Sequence, residues 1–329
     1  MARPIFVVGA PRSGTTWLAN IICRHSEVAC VRGTSPGLEE GINESAFFSN
    51  IDGVFGDLKD NNNLIQLIEI FSSSNFFLAS GLDKKIFYNK KPDSYPSFFR
   101  LIMEHVAEKE GKEIWLDKTP AHSFFLERIV DCYGDAKVVA IKRTPLNQIK
   151  SLYRLNLLKI KHYSKAGHSQ DDVDLLKKKY LSTRNIYKML FKYHAFYKHI
   201  HRMRSKEPDR VMLIEYEHLL SSKKKIILKL CKFLEIEFED EMLVEKDDLK
   251  IFSSFKSDDE RGLVFTSLVE KDLQRAGYFF DTVPYLFYRF VYFIKHVLDY
   301  RKRKLPPQFF INIITQYNMD AGALFLDRD

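Results

Sequence analysis

Cysteine is scarce. The chain holds four in 329 residues (Cys23, Cys30, Cys132 and Cys231), far apart and without a CxxC pair. That spacing excludes a disulfide framework and a thiolate zinc site, and fits small core residues in a reducing compartment. Apolar runs are short too, and none approaches the roughly 18 residues that a membrane-crossing helix needs. The N-terminal residues enter an apolar strand directly after Arg3, without the features of a signal peptide. The expected location is the cytoplasm. Asp and Glu number 43 against 51 Lys and Arg, a net charge of +8. The excess favours anionic partners. RNP, KH and dsRBD-like patterns are missing, so a nucleic-acid partner is not expected. No internal repeat is visible.

The length allows one large domain, or a domain with an appendage. Pro4 to Val8 is a continuous apolar run, as in a strand buried on both faces. A helix is expected from about Gly14, with Leu18, Ile21 and Ile22 on one face. Three further buried strands are expected at 113–117 (EIWLD), 136–143 (AKVVAIKR) and 210–216 (RVMLIEY), separated by helical patterns at about 121–133, 145–160, 182–204 and 223–234. Strands alternating with helices predict an α/β three-layer sandwich around a central parallel sheet. Ligands of such sheets sit beyond the carboxyl ends of the strands.

Residues 50–100 (KDNNNL, FSSSNFF, YNKKPDSYP) are turn-rich, and are expected to form an irregular insertion that either caps an acceptor site or is a plain surface excursion. The main domain is expected over 1–280. A helical tail is expected over 281–329; its stretch PYLFYRFVYFIKHVLDY, 284–300, is dense in aromatics and is followed by a basic run, 301–304. It reads as a helix packed on its own domain or as a peripheral membrane contact.

The stretch FVVGAPRSGTTWL has Gly9, then Gly14, in the spacing of a phosphate-binding loop between strand and helix. The lysine of nucleotide hydrolases is missing, with Thr15 and Thr16 following Gly14 and Arg12 the cation of the loop. Backbone N–H groups and a helix dipole still favour an anion there. Such a loop suits a terminal phosphoryl or sulfuryl group held without a metal.

PRSGTTWL resembles the 5′-phosphosulfate loop of sulfotransferases that use 3′-phosphoadenosine 5′-phosphosulfate (PAPS). KVVAIKRTPLNQIKSLYR resembles that family's 3′-phosphate segment, with Arg143 and Ser151 at its spacing. WLDKTPAH resembles the EKTPAY segment of the glycan enzymes, and LIEYEHLL the YEDL stretch. The resemblance spans about 4–237. It implies a PAPS-dependent transferase releasing 3′,5′-ADP, without metal. Arg12, Ser13, Gly14, Thr15 and Thr16 would hold the phosphosulfate, Arg143 and Ser151 the 3′-phosphate, and Trp17 and Tyr216 the adenine. Core packing is the plainer reading of the two aromatics. Lys118 would steady the leaving phosphate or an anionic acceptor, with Asp117 either orienting it or simply following the strand; the plainer reading of Lys118 is a surface ion pair with Asp117.

The resemblance also implies a carboxylate base. NESAFF matches the KExHFF segment of the glycan branch and puts Glu44 in that role, with Glu39, Glu40 and, more weakly, His122 as rivals. The acceptor oxygen would attack sulfur in line while Glu44 takes its proton and Arg12, Lys118 and the loop amides stabilise the departing phosphate. The acceptor is read as a hydroxyl on a glycan or small molecule. The competing readings are a P-loop kinase or NTPase, and a nucleotide-binding relative without catalysis.

Overall fold

A computed structural model describes residues 2–33, 41–180 and 183–244. The expected tail and the 280/281 boundary lie outside these residues.

The chain begins with β1 (Arg3–Gly9), α1 (Thr15–Ile22) and β2 (Val28–Cys30). Short helices follow: α2 (Phe47–Asn50), α3 (Asn61–Phe71), α4 (Asn75–Ser80), α5 (Lys85–Lys90) and the longer α6 (Tyr95–Glu110). Then come β3 (Ile114–Lys118), a 3-10 turn (Pro120–Phe124), α7 (Leu126–Cys132) and β4 (Lys137–Lys142). The remainder is α8 (Pro145–Lys165), α9 (Gln170–Tyr180), α10 (Thr183–Lys206), β5 (Val211–Glu215), α11 (Tyr216–Ser221) and α12 (Lys223–Leu234).

The strands form one parallel five-stranded sheet in the order β2-β3-β1-β4-β5. This is the predicted α/β sandwich. β1 lies in the middle, with Phe6 opposite Asp117 on one side and Val138 on the other. Its side chains alternate between the two faces, as strand geometry requires. Phe6 and Val8 join a core with Trp115, Val138, Ala140 and the helices α2–α7 and α10. Ile5 and Val7 join a second core with Leu116, Val139, Ile141 and the helices α1 and α12. Both faces are therefore covered, which a parallel sheet requires.

The segment 50–100 differs from the irregular insertion expected. It is mostly helical, and its turn-like residues are helix caps. Asp60 accepts from Asn62 N–H to start α3, Ser74 accepts from Phe77 N–H to start α4, and Ser94 with Ser97 forms a capping box on α6. Its phenylalanines build the larger core. Phe87 stacks on Phe98 at 4.1 Å between ring centres, and Phe47 stacks on Phe99 at 4.8 Å. Four further elements were not expected: β2 at the sheet edge, α2, α9 and α11. The helix expected at 121–133 is broken into the 3-10 turn and α7.

Candidate active site

The carboxyl ends of β1, β3, β4 and β5 share one edge of the sheet, and the predicted residues stand there. β1 ends at Gly9, with φ +153°; a Cβ on it would lie 2.6 Å from Ile141 O, so only glycine fits. Gly14, at φ +103°, leads into α1. A Cβ there would lie 2.7 Å from the Tyr216 ring. Among the described residues no side chain caps α1, and its first turn holds no acid. Its leading N–H groups have no partner within the helix, and they sit at the positive end of its dipole. Ser13 differs from the expectation in one respect: its N–H is taken by Ala10 O at 3.0 Å. The amides left for an anion are those that follow it. Gly9 N–H donates to Ser123 Oγ at 3.1 Å, fixing the start of the loop.

Arg12 adopts φ +69°, a conformation that a non-glycine residue holds only when its surroundings impose it. Its Nε donates to Ser151 Oγ at 3.3 Å. The loop after β1 and the helix after β4 are thereby joined. Burial, and then the neighbouring Arg143, push the Arg12 guanidinium below its ordinary pKa. Two cations gathered in a half-buried place favour an anion between them.

Arg143 follows β4 and lies over the Tyr216 ring at 4.5 Å. Its Nε is buried without a hydrogen-bond partner among the described residues. A buried donor of this kind is costly unless a ligand completes it, which fits a phosphate. Several residues that the sequence did not reveal fix this corner. Tyr193 OH donates to Arg143 O and Tyr197 OH to Ile141 O, each at 3.0 Å. Burial pushes the Tyr197 phenol up to about 12. Gln148 Nε2 donates to Pro11 O at 2.7 Å. Glu217 Oε1 accepts from Thr144 N–H at 3.1 Å, Thr144 Oγ1 at 2.9 Å and Asn147 Nδ2 at 3.2 Å. Burial opposes its charge, but these donors outweigh burial and hold its carboxyl below the usual range. The pattern that would have exposed them is i, i+3/i+4 spacing of polar residues beside a strand end; single residues carry none of it.

Trp17 and Tyr216 meet edge to face, 5.2 Å between ring centres, and both remain partly exposed. The two residues expected at the adenine are brought together next to Arg143.

On the other side of β1, Lys118 ends β3. Its Nζ donates to Glu44 Oε1 at 2.7 Å. Asp117 does not pair with Lys118, as the plainer reading had it, nor does it orient it: neighbouring strand residues face opposite sides. Its carboxylate lies 2.9 Å from His122 Nδ1 instead. His122 Nε2 accepts from Phe48 N–H at 3.1 Å, so its proton sits on Nδ1. With Nε2 taken by Phe48 N–H, Nδ1 against the Asp117 carboxylate and the ring fully buried, His122 is not exposed to an acceptor hydroxyl, which speaks against it as the base. Phe47 and Phe48 are buried in the aromatic core and anchor the segment that presents Glu44. The other rivals, Glu39 and Glu40, lie outside the described residues. Among the described residues no group of His, Cys, Asp and Glu is arranged to hold a metal ion, and no helix is long and apolar enough to cross a membrane.

A family model described as "Sulfotransferase family" matches residues 4–240. Solved structures similar to the chain include the sulfotransferase domain of the curacin biosynthetic pathway, at 20% identity and TM-score 0.44, covering 74% of this chain and 77% of that one. Another is the sulfotransferase domain of the olefin synthase of Synechococcus PCC 7002, at 16% and 0.46, covering 86% and 96%. A third is the sulfotransferase STF1 of Mycobacterium tuberculosis H37Rv, at 14% and 0.45, covering 83% and 76%. No curated protein matches the chain.

Proposed function

The chain belongs to the sulfotransferase family, and on that premise we propose that it moves the sulfuryl group of PAPS to a hydroxyl on a carbohydrate. The observation that carries the donor assignment is the Arg12–Ser151 contact. It draws the loop for one phosphate and the segment for another into a single site, as a nucleotide with two separate phosphate groups demands. Arg143, with its unpartnered Nε, holds the 3′-phosphate beside Ser151. Arg12 and the amides after Ser13 face the phosphosulfate, with Gly14, Thr15 and Thr16 in contact. Trp17 and Tyr216 take the adenine. PAPS, when bound, supplies the electrophilic sulfur.

The chain's residues then divide the work. Glu44 takes the proton of the acceptor hydroxyl as its oxygen approaches sulfur. Lys118, released from Glu44, and Arg12 stabilise the charge that builds on the bridging oxygen. The S–O bond to 3′,5′-ADP breaks as the acceptor O–S bond forms. The segment 50–100, whose helices pack in one core with Phe47 and Phe48 next to Glu44, is the proposed acceptor cap. The glycan acceptor rests on the DKTP and NESAFF segments. The kinase reading is the weaker one: it needs a lysine after Gly14, where Thr15 stands, and an acidic strand end for magnesium, where Asp117 is fully buried against His122 and Glu215 is the remaining candidate.

The test is radiolabelled PAPS offered with desulfated glycosaminoglycans, small alcohols and tyrosine peptides, beside thermal shift with 3′,5′-ADP plus EDTA and with ATP plus magnesium. Label on the glycans and stabilisation by 3′,5′-ADP are expected. Stabilisation by magnesium ATP alone would replace the reading by the kinase.

A further inference from the structure

Ala46, Phe47 and Phe48 stand at the start of α2, where N–H groups have no partner within the helix. Each is taken by a side-chain acceptor. Ala46 N–H donates to Thr119 Oγ1 at 3.3 Å, Phe47 N–H to Ser45 Oγ at 3.3 Å, and Phe48 N–H to His122 Nε2 at 3.1 Å. Two of these acceptors come from the chain just after β3, and Asp117 holds both. Its Oδ1 accepts the Thr119 hydroxyl at 3.4 Å, and its Oδ2 lies 2.9 Å from His122 Nδ1. With the Thr119 proton spent on Asp117, the 3.4 Å contact between Ser45 Oγ and Thr119 Oγ1 is donated by Ser45.

Asp117, Thr119 and His122 are at most 1% exposed. Burying a carboxylate, an imidazole and a hydroxyl is costly, and apolar residues would pack the same space more cheaply. What the polar set adds is direction. It reaches into the backbone just after Glu44 and holds Ala46 at φ +48°, which an alanine adopts only under constraint. Lys118, on the opposite face of the same strand end, holds the Glu44 carboxylate itself. One strand terminus thus grips the Glu44 segment from two sides.

We propose that Asp117, Thr119 and His122 are positioning residues that aim the Glu44 carboxylate at the acceptor hydroxyl. The inference rests on Glu44 being the base. Positioning of this kind acts on turnover, because a small misplacement of a catalytic group is costly to rate while leaving a remote nucleotide untouched.

The test uses His122→Asn, which keeps a donor toward Asp117 and loses the acceptor for Phe48 N–H, and His122→Gln, which restores an acceptor near the Nε2 position. With radiolabelled PAPS and desulfated heparin, His122→Asn lowers kcat by about tenfold or more, while KM for PAPS stays within about twofold. His122→Gln recovers most of the loss. In a Glu44→Gln background, His122→Asn adds less than about twofold, because both act through one group. Equal fold-losses in the two backgrounds, or wild-type kcat in His122→Asn, would overturn the inference. A wild-type rate in Glu44→Gln alone would instead overturn the base assignment. Should His122→Asn not fold, Thr119→Val against Thr119→Ser puts the same question, with serine retaining activity. Amide exchange decides without any acceptor. His122→Asn, or Thr119→Val in its place, speeds exchange at 46–48 by about tenfold or more relative to β1; unchanged protection there overturns the proposal.

Discussion

Glu44 and Lys118, 74 positions apart in the chain, meet at 2.7 Å with the lysine side chain 5% and the glutamate 23% exposed. A buried ammonium needs a counter-charge, and here the candidate base provides it. Donor binding would offer Lys118 a second anion and let the two separate. The pair is therefore both a structural tie and a resting state of the proposed catalyst.

Lys118→Met is expected to lower kcat by about tenfold to a thousandfold, the scale of losing one donor to developing charge, with little change in PAPS affinity. Single-turnover measurements separate the two. A pure affinity loss at unchanged saturated rate would assign Lys118 to binding.

Glu44→Gln preserves the shape of the segment and touches no phosphate in the proposed arrangement. Transfer is expected to fall by about 10²–10⁴, the usual worth of a general base, with 3′,5′-ADP affinity near wild type by calorimetry. Loss in Glu40→Gln or Glu39→Gln, with Glu44→Gln active, would move the base upstream.

The Arg143 Nε, without a hydrogen-bond partner among the described residues, predicts a preference for a 3′-phosphate. A charge-assisted bond contributes roughly 1.5–3 kcal/mol, so 3′,5′-ADP is expected to bind about tenfold to a hundredfold tighter than 5′-AMP. Arg143→Ala is expected to erase most of that difference. Equal affinities in the wild type would remove the 3′-phosphate assignment.

Glu217 gives a pH test. Its folded pKa is depressed below its ordinary value despite burial, by the donors of Thr144 and Asn147. Its contribution to stability is therefore complete above the unfolded value, about 4.3, and is lost as pH falls through the lower folded pKa. The difference in Tm between wild type and Glu217→Gln is expected to be largest at neutral pH and to shrink toward pH values well below that. A difference independent of pH would mean that the carboxylate is not the stabilising form.

Gly14→Ala places a methyl 2.7 Å from the Tyr216 ring at φ +103°. It is expected to lower Tm and weaken nucleotide binding together, since ring and loop must both shift. Normal 3′,5′-ADP affinity in this variant would show that the loop tolerates the displacement.

Much of the fold was legible because buried parallel strands are apolar runs. β1, β3, β4 and β5 fall within a residue or so of their expected bounds. β2 escaped because its three residues carry no period. Residues 50–100 were misread because Asp60, Ser74 and Ser94 serve as helix caps, and the same residue types mark turns. Near the proposed site, the Gly9–Gly14 loop was legible from its glycine spacing, and the segments that bring Glu44 and Lys118 to one contact were singled out by motif resemblance. The Asp117–His122 pair was not legible: side by side in sequence, Asp117 and Lys118 suggest each other as partners, and only strand alternation sends them apart.

The order of the strands sets the timing of assembly. The glycine loop comes before its partners in the chain: β1 pairs with β3 and β4, and Arg12 waits for Ser151, 139 positions later. A nascent chain that has not yet delivered β4 and the start of α8 has no finished anion site. In the proposed arrangement, a nucleotide therefore finds its site only once both ends of the Arg12–Ser151 contact have met.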